Sequence, residues 1–169
     1  MSADIDTHTG IGAVWLLWRP KSTRAQEHTT FLEWHDERWH YTGGSSSSPA
    51  EDDPPDADVL EIAGCGGSVS HARRLGAQHF MSPDPYLNCA EIHLGPDVGH
   101  LLVGNRRIDA PKRRKLIVAW LSPHSAAVDR PVIVAFGRDG TELSRIGPHD
   151  ILDTHTWARL EKESQETDC

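Results

Sequence analysis

Two histidines, His35 and His40, flank Asp36 and Glu37 in the run Thr-Thr-Phe-Leu-Glu-Trp-His-Asp-Glu-Arg-Trp-His-Tyr-Thr over positions 29–42. If the polar tetrad 35–38 turns, the aromatic flanks 31–34 and 39–42 pair as a hairpin. The two imidazoles then stand on opposing strands, about 5 Å apart. Two neutral imidazoles and a carboxylate from Glu37 or Asp36 form a donor set suited to zinc and other late first-row cations. His35, His40 and Glu37 are therefore the predicted metal ligands. The alternative, one long strand, would point His35, Glu37, Trp39 and Tyr41 to a single face. A second histidine pair, His93 and His100, falls on the expected arms of a hairpin, 89–94 and 98–103, joined by Gly-Pro-Asp at 95–97. The chain carries 11 histidines in 169 residues and no H-E-x-x-H run, so scattered surface histidine is the plain alternative for both pairs.

The sharpest charge feature is Arg106-Arg-Ile-Asp-Ala-Pro-Lys-Arg-Arg-Lys115, six cations with one acid. Pro111 and the flanking strands place its middle on a loop. Arg106, Arg107, Lys112, Arg113, Arg114 and Lys115 could meet phosphate oxygens by charge, without reading bases. No aromatic side chain is interleaved, so base stacking is not expected. The loop could instead stay solvated, or dock the chain's own acidic stretch 51–58. Of the six tryptophans, Trp15, Trp18 and Trp120 sit in apolar strands and read as core. Trp34 and Trp39 flank the polar turn. They either pack across the hairpin or mark a partner surface.

Other chemistry finds no support. Gly64-Cys-Gly-Gly-Ser68 lacks the third glycine of a dinucleotide loop and reads as a turn or bulge. Ser68, Ser70 and His71 lie near Cys65, yet adjacent strand residues point to opposite faces, so Ser70 and His71 cannot meet there. No G-x-S-x-G elbow occurs. The three cysteines, Cys65, Cys89 and Cys169, form no C-x-x-C pair, and an odd count fits a reducing compartment; a Cys65–Cys89 bridge is the one pairing the spacing leaves open. No cofactor is implied.

These residues need elements to hold them. Apolar and aromatic runs of about 4–8 residues alternate with Gly, Pro, Asn and Asp punctuation: 12–19, 31–34, 39–42, 58–63, 89–94, 98–103, 106–109, 115–121, 131–136 and 141–146. Asp139-Gly140 and Gly104-Asn105 are turn signals. Stretch 115–121 reads as a central strand, and 69–81 is ambiguous between loop and short helix. From 150 the apolar spacing becomes helical, with Asp153 or Thr154 as cap, and a helix over 150–163 is predicted. The expected fold is mainly β: an antiparallel β-sandwich or open barrel of about 9–11 short strands with one short C-terminal helix. Positions 89–146 resemble an immunoglobulin-like sandwich in rhythm, without its Cys…Trp…Cys signature. No βαβ alternation occurs, so a doubly wound nucleotide-binding sheet is not expected.

One domain over 1–169 fits the length. Residues 1–10 and 164–169 are expected to fray, and the Gly/Ser/Pro/acid stretch 43–58 to form a mobile loop. The formal net charge is -8, but the acid is concentrated in 1–10, 51–58 and 161–169, which leaves the body with its basic loop slightly positive. The acidic N-terminus and the eight-residue first apolar run give no signal peptide or membrane span. The expectation is a small cytoplasmic, non-catalytic binding protein with a protein partner. A metal-binding protein or metal-dependent hydrolase is the first alternative, and weak nucleic-acid or anion binding through 106–115 the second.

Overall fold

The computed structural model describes residues 2–19, 21–48, 57–70, 85–122 and 130–167. In chain order the elements are β1 (Ser2–Asp6), β2 (Ile11–Trp18), β3 (Gln26–His35), β4 (Arg38–Ser47), β5 (Leu60–Val69), β6 (Tyr86–Leu94), β7 (Val98–Val103), β8 (Arg106–Asp109), β9 (Lys115–Ser122), β10 (Ile133–Gly137), β11 (Glu142–Ile146) and α1 (Thr154–Thr167). The protein is mainly β. Among the described residues it has three antiparallel sheets and no closed barrel: an N-terminal sheet β1-β2-β3-β4, a central sheet β5-β6-β9 and a C-terminal sheet β11-β10-β7-β8.

The central sheet earns its name from strand alternation. Along β9, Leu116, Val118 and Trp120 enter one core with Leu101, Ile133 and Ile146 of the C-terminal sheet. Ile117 and Ala119 point the other way, into a second core with Ile11, Ala13, Trp15 and Phe31 of the N-terminal sheet. A strand buried on both faces needs apolar side chains at both parities, which is why 115–121 reads as an unbroken apolar run.

By backbone pairing β9 is nevertheless an edge among the described residues, bonded there to β6 alone. An edge strand exposes unpaired amides, and here side chains of β1 meet them. Ile117 N–H donates to Ser2 Oγ at 3.1 Å and Ala119 N–H to Asp4 Oδ2 at 2.8 Å. Arg106 of β8 completes the junction. Its guanidinium donates to both Asp4 oxygens (3.1 and 2.9 Å) and to the Ala119 carbonyl (2.8 Å). One ion pair thus ties a strand from each sheet.

This junction corrects two expectations. Residues 2–6 are not a frayed end: β1 pairs with β2 from Ser2↔Trp15 to Asp6↔Ile11. Arg106 is not a free surface cation. A third correction concerns 89–103. β6 and β7 are not arms of one hairpin but lie in different sheets. The chain turns between layers at Gly95, whose N–H donates to Val59 O and where any Cβ would collide with the Asp58 carbonyl.

Of the segment 43–58, expected as a loop, residues 43–47 are strand and pair with β3 from Phe31↔Gly43 to Glu27↔Ser47. Residues 49–56 lie outside those described, as do 71–84, which hold most of the ambiguous stretch 69–81. The glycines at 64–67 do not end a strand. β5 runs through them with a register shift between Ile62 and Gly64, the bulge alternative. The helix starts where Asp153 caps it, its carboxylate accepting from His155 N–H (2.9 Å) and Thr156 N–H (3.2 Å). It extends four residues past the expected end. The basic stretch 106–115 is no single loop: it comprises β8, a turn at Pro111–Arg114 and the first residue of β9.

Candidate functional site: the β3–β4 hairpin tip

β3 and β4 close through a two-residue turn, Asp36-Glu37, with φ angles of +50° and +61°. Left-handed backbone at both positions matches the right-handed strand twist, and such turns favour Asn-Gly or Asp-Gly. Glu37 therefore occupies a position where glycine would be less strained. The register His35↔Arg38, Trp34↔Trp39, Glu33↔His40 follows from this tight turn.

That register makes His35 and His40 diagonal neighbours on one face. Their rings stack with centroids 3.5 Å apart and planes within 9°. His35 Nδ1 lies 3.1 Å from Asp36 Oδ2. One ligand atom from each of His35, Asp36 and His40 falls within 4.8 Å of the others. The hydrogen bond and charge of His35 hold the exposed Asp36 carboxyl below its ordinary range, so it is ionised and ready to accept a cation. Arg38 Nε donates to His40 Nε2 at 3.2 Å and sets a fixed positive charge at the rim. The carboxylate that joins the histidines is Asp36. Glu37, the predicted ligand, is not part of the group.

The opposite face of the hairpin carries Trp34 and Trp39, packed edge to face with centroids 5.4 Å apart. The pair packs across the strands, the first of the two sequence alternatives, and leaves the two residues 49% and 37% exposed. Ile5 and Tyr41 extend this outer face; the cross-strand row Ile5↔Gly12↔Leu32↔Tyr41 joins all four strands of the sheet.

The second histidine pair does not converge. His93 is buried in the central sheet, stacked on Trp15 at 6.2 Å and 3.9 Å from Glu61. His100 stacks on Phe136 in the C-terminal sheet. Cys65 and Cys89 are both free. Cys65 pairs with Ala90 and Gly66 with Cys89, so the two thiols face opposite sides of the sheet. Burial, reinforced by the Glu91 charge, pushes the Cys89 thiol up to about 12. Ser68 is spent on the Thr42 carbonyl, Ser70 is buried, and His71 lies outside the described residues.

The basic residues divide by use. Arg106 is in the sheet junction. Arg107 pairs with Asp109 at 3.1 Å on the exposed surface. Arg114, with φ +57°, donates to the Val98 and Pro96 carbonyls at 2.5 Å and straps its turn to the β6–β7 corner. Lys112 and Arg113 are exposed, and Lys115 opens β9. The acidic stretch 51–58 is described only at Ala57 and Asp58, and Asp58 pairs with Arg159 of α1 and not with this loop.

The chain matches no protein-family model, no curated protein and no solved structure.

Proposed function

We propose that the protein is a non-catalytic, metal-binding interaction protein whose working part is the β3–β4 hairpin. His35, His40 and Asp36 take one divalent transition cation. Zinc, copper(II) and nickel(II) suit two imidazoles and a carboxylate. The observation that carries the reading is that one ligand atom from each of His35, Asp36 and His40 lies within 4.8 Å of the others, with the carboxylate ionised. Three donors leave coordination positions open to water or to a ligand from a partner, as a bridging site requires. The half-exposed face of Trp34, Trp39, Ile5 and Tyr41 supports the interaction part of the reading, because apolar surface left open on a folded sheet is the kind that protein partners cover. The free thiols of Cys65 and Cys89 fit a reducing, cytoplasmic setting.

The test is titration of the purified, chelator-treated chain with zinc, copper(II) and nickel(II), read by calorimetry and by tryptophan fluorescence. One cation per chain is expected, with copper(II) or nickel(II) quenching Trp34 and Trp39. His35→Ala, His40→Ala and Asp36→Asn should each weaken binding at least about 10-fold, the scale of a lost ligand or its support. Glu37→Gly should leave it intact. Binding should fade as imidazoles protonate at acid pH. Equal affinity in wild type and the His35→Ala/His40→Ala double variant would remove the proposal.

A further inference from the structure

Beyond the hairpin, an open cleft of about 390 Å³ lies between two turns of the C-terminal sheet region. One turn is Pro111–Arg114, between β8 and β9; the other follows β10 at Gly137. Gly99 of β7 brings them together. Its carbonyl accepts the Ala110 N–H at 3.0 Å, and a Cβ at Gly99 would lie 3.0 Å from the Arg138 Cα. The register shift between Phe136 and Gly137 delivers Arg138 to that point. A side chain at Gly99 would press on the Arg138 backbone, so glycine favours the close approach of the two turns.

Three cations line the cleft, Lys112, Arg114 and Arg138, with Val98, Gly99 and Pro111 as neutral wall. No carboxylate lines it, and none of the three cations forms an ion pair among the described residues. Two of the nearby acids are turned to other work, and Asp97, between the two carbonyls that hold Arg114, is exposed and outside the lining. Asp139, next to Arg138, accepts from the Thr141 N–H and hydroxyl at 3.0 and 2.9 Å. Asp109 pairs with Arg107. Carbonyl oxygens of Val98 and Pro96 position the Arg114 guanidinium without neutralising it. Like charges held together without a counter-charge repel unless an anion joins them.

We infer that this cleft binds a phosphate group on a small molecule, Lys112 and Arg138 gripping it from the two turns and the fixed Arg114 adding charge from the floor. A phosphate monoester carries nearly two negative charges at neutral pH, and guanidinium forks match its oxygens. A nucleic-acid strand fits less well. Arg106 is committed to Asp4 in the sheet junction and Arg107 is paired with Asp109, so the basic stretch makes a compact three-cation pocket and not the extended stripe that tracks a backbone.

The experiment titrates inorganic phosphate, AMP and adenosine into the full chain at constant ionic strength. A chelator is present so that no metal at the hairpin recruits phosphate. Inorganic phosphate and AMP should bind with a Kd on the order of 1 mM or tighter, AMP at least as tightly as phosphate, and adenosine not at all. Lys112→Ala and Arg138→Ala, both at exposed side chains, should each lower the affinity at least about 10-fold. Arg113→Ala, on the same turn but outside the cleft, should leave it within about 2-fold. Three results would overturn the inference: no phosphate binding, equal binding by the cleft variants, or an equal loss in Arg113→Ala. The last would mean diffuse attraction to the loop. A single-stranded oligonucleotide that outcompetes AMP and is insensitive to Arg138→Ala would also overturn it, in favour of a strand-binding surface. Failure here leaves the hairpin reading untouched, because the two sites share no residue.

Discussion

Removing Asp4 should unfasten three sheets at once. Its side chain is only 10% exposed and pairs with Arg106, which is 24% exposed. Asp4→Ala deletes two charge-assisted bonds to the guanidinium. It also strips the Ala119 N–H, at the uncovered edge of β9, of its acceptor. Breaking a buried pair from one side costs about 3–5 kcal/mol, because the remaining charge stays desolvated. A stranded amide alone costs about 1–3 kcal/mol. Since a quarter of Arg106 reaches solvent, the lower end applies, and about 3 kcal/mol is the expectation. For a chain of this size that is a fall in Tm of roughly 6–12 °C.

Urea unfolding followed by tryptophan fluorescence measures the cost directly, and a cycle with Arg106→Ala isolates the pair. The coupling energy should be about 2 kcal/mol, and Asp4→Leu/Arg106→Met should recover much of the single-variant loss, since hydrophobic replacement of both partners is often neutral. Asp109→Ala, which breaks only the exposed pair with Arg107, is the control and should cost under about 1 kcal/mol. A loss below about 1 kcal/mol for Asp4→Ala, or strict additivity with Arg106→Ala, would refute the junction and return residues 2–6 to the status of a loose end.

Two more outcomes follow from single side chains. Asp153→Ala should cost about 1–2 kcal/mol and lower the helical circular dichroism signal, because α1 is exposed along nearly its whole length and holds to β11 chiefly through this cap and its bond from Ser144; an unchanged spectrum and stability would count against the cap. The Cys89 thiol is raised to about 12, so above pH ~9 the unfolded chain releases a proton that the folded chain keeps. Stability should therefore fall as pH rises from about 9 toward 12, less steeply in Cys89→Ala. Thiol alkylation mapped by mass spectrometry at pH ~8 should spare Cys89 in the native state, and rapid native labelling of it would contradict its burial.

Local signals in the sequence carried most of the elements, and long-range partners carried what was misread. Asp139-Gly140 and Gly104-Asn105 announce hairpins by turn chemistry alone, and both form, as β10–β11 and β7–β8. Gly95-Pro96-Asp97 looks the same in sequence, yet it carries the chain between layers. What decides is the Asp58 backbone pressed against Gly95, a contact between residues far apart in sequence that no local pattern contains. His93 and His100 were separated by that single event. Likewise Ser2–Asp6 is short and polar, and nothing local says that Arg106, about a hundred residues later, is its counter-charge. The alternation misleads here: it would turn the apolar Ala3 and Ile5 inward, yet they face outward and Asp4 points in.

The hairpin was more legible because its geometry is set within eight residues, from Glu33 to His40. The turn fixes the register, and the register fixes which side chains are neighbours. The miss over Glu37 has the same origin: a four-residue turn would have left either carboxylate free to reach, whereas the two-residue turn commits Asp36 to His35. This locality also explains why a binding site can sit there at little cost to the fold. β2 stops pairing with β3 at Ile11↔Glu33, so His35 to Arg38 project beyond the sheet as a two-stranded ribbon. The cores contain none of these residues. Substitution at the ligands should therefore remove metal while leaving unfolding in chelator nearly unchanged, and added metal should stabilise the wild type alone, as mass action requires of a ligand that binds only the folded state. The strained Glu37 is the complementary case: exchanging it for glycine relaxes the turn while sparing all three ligands, so a gain in stability with unaltered metal affinity would separate the strain from the site.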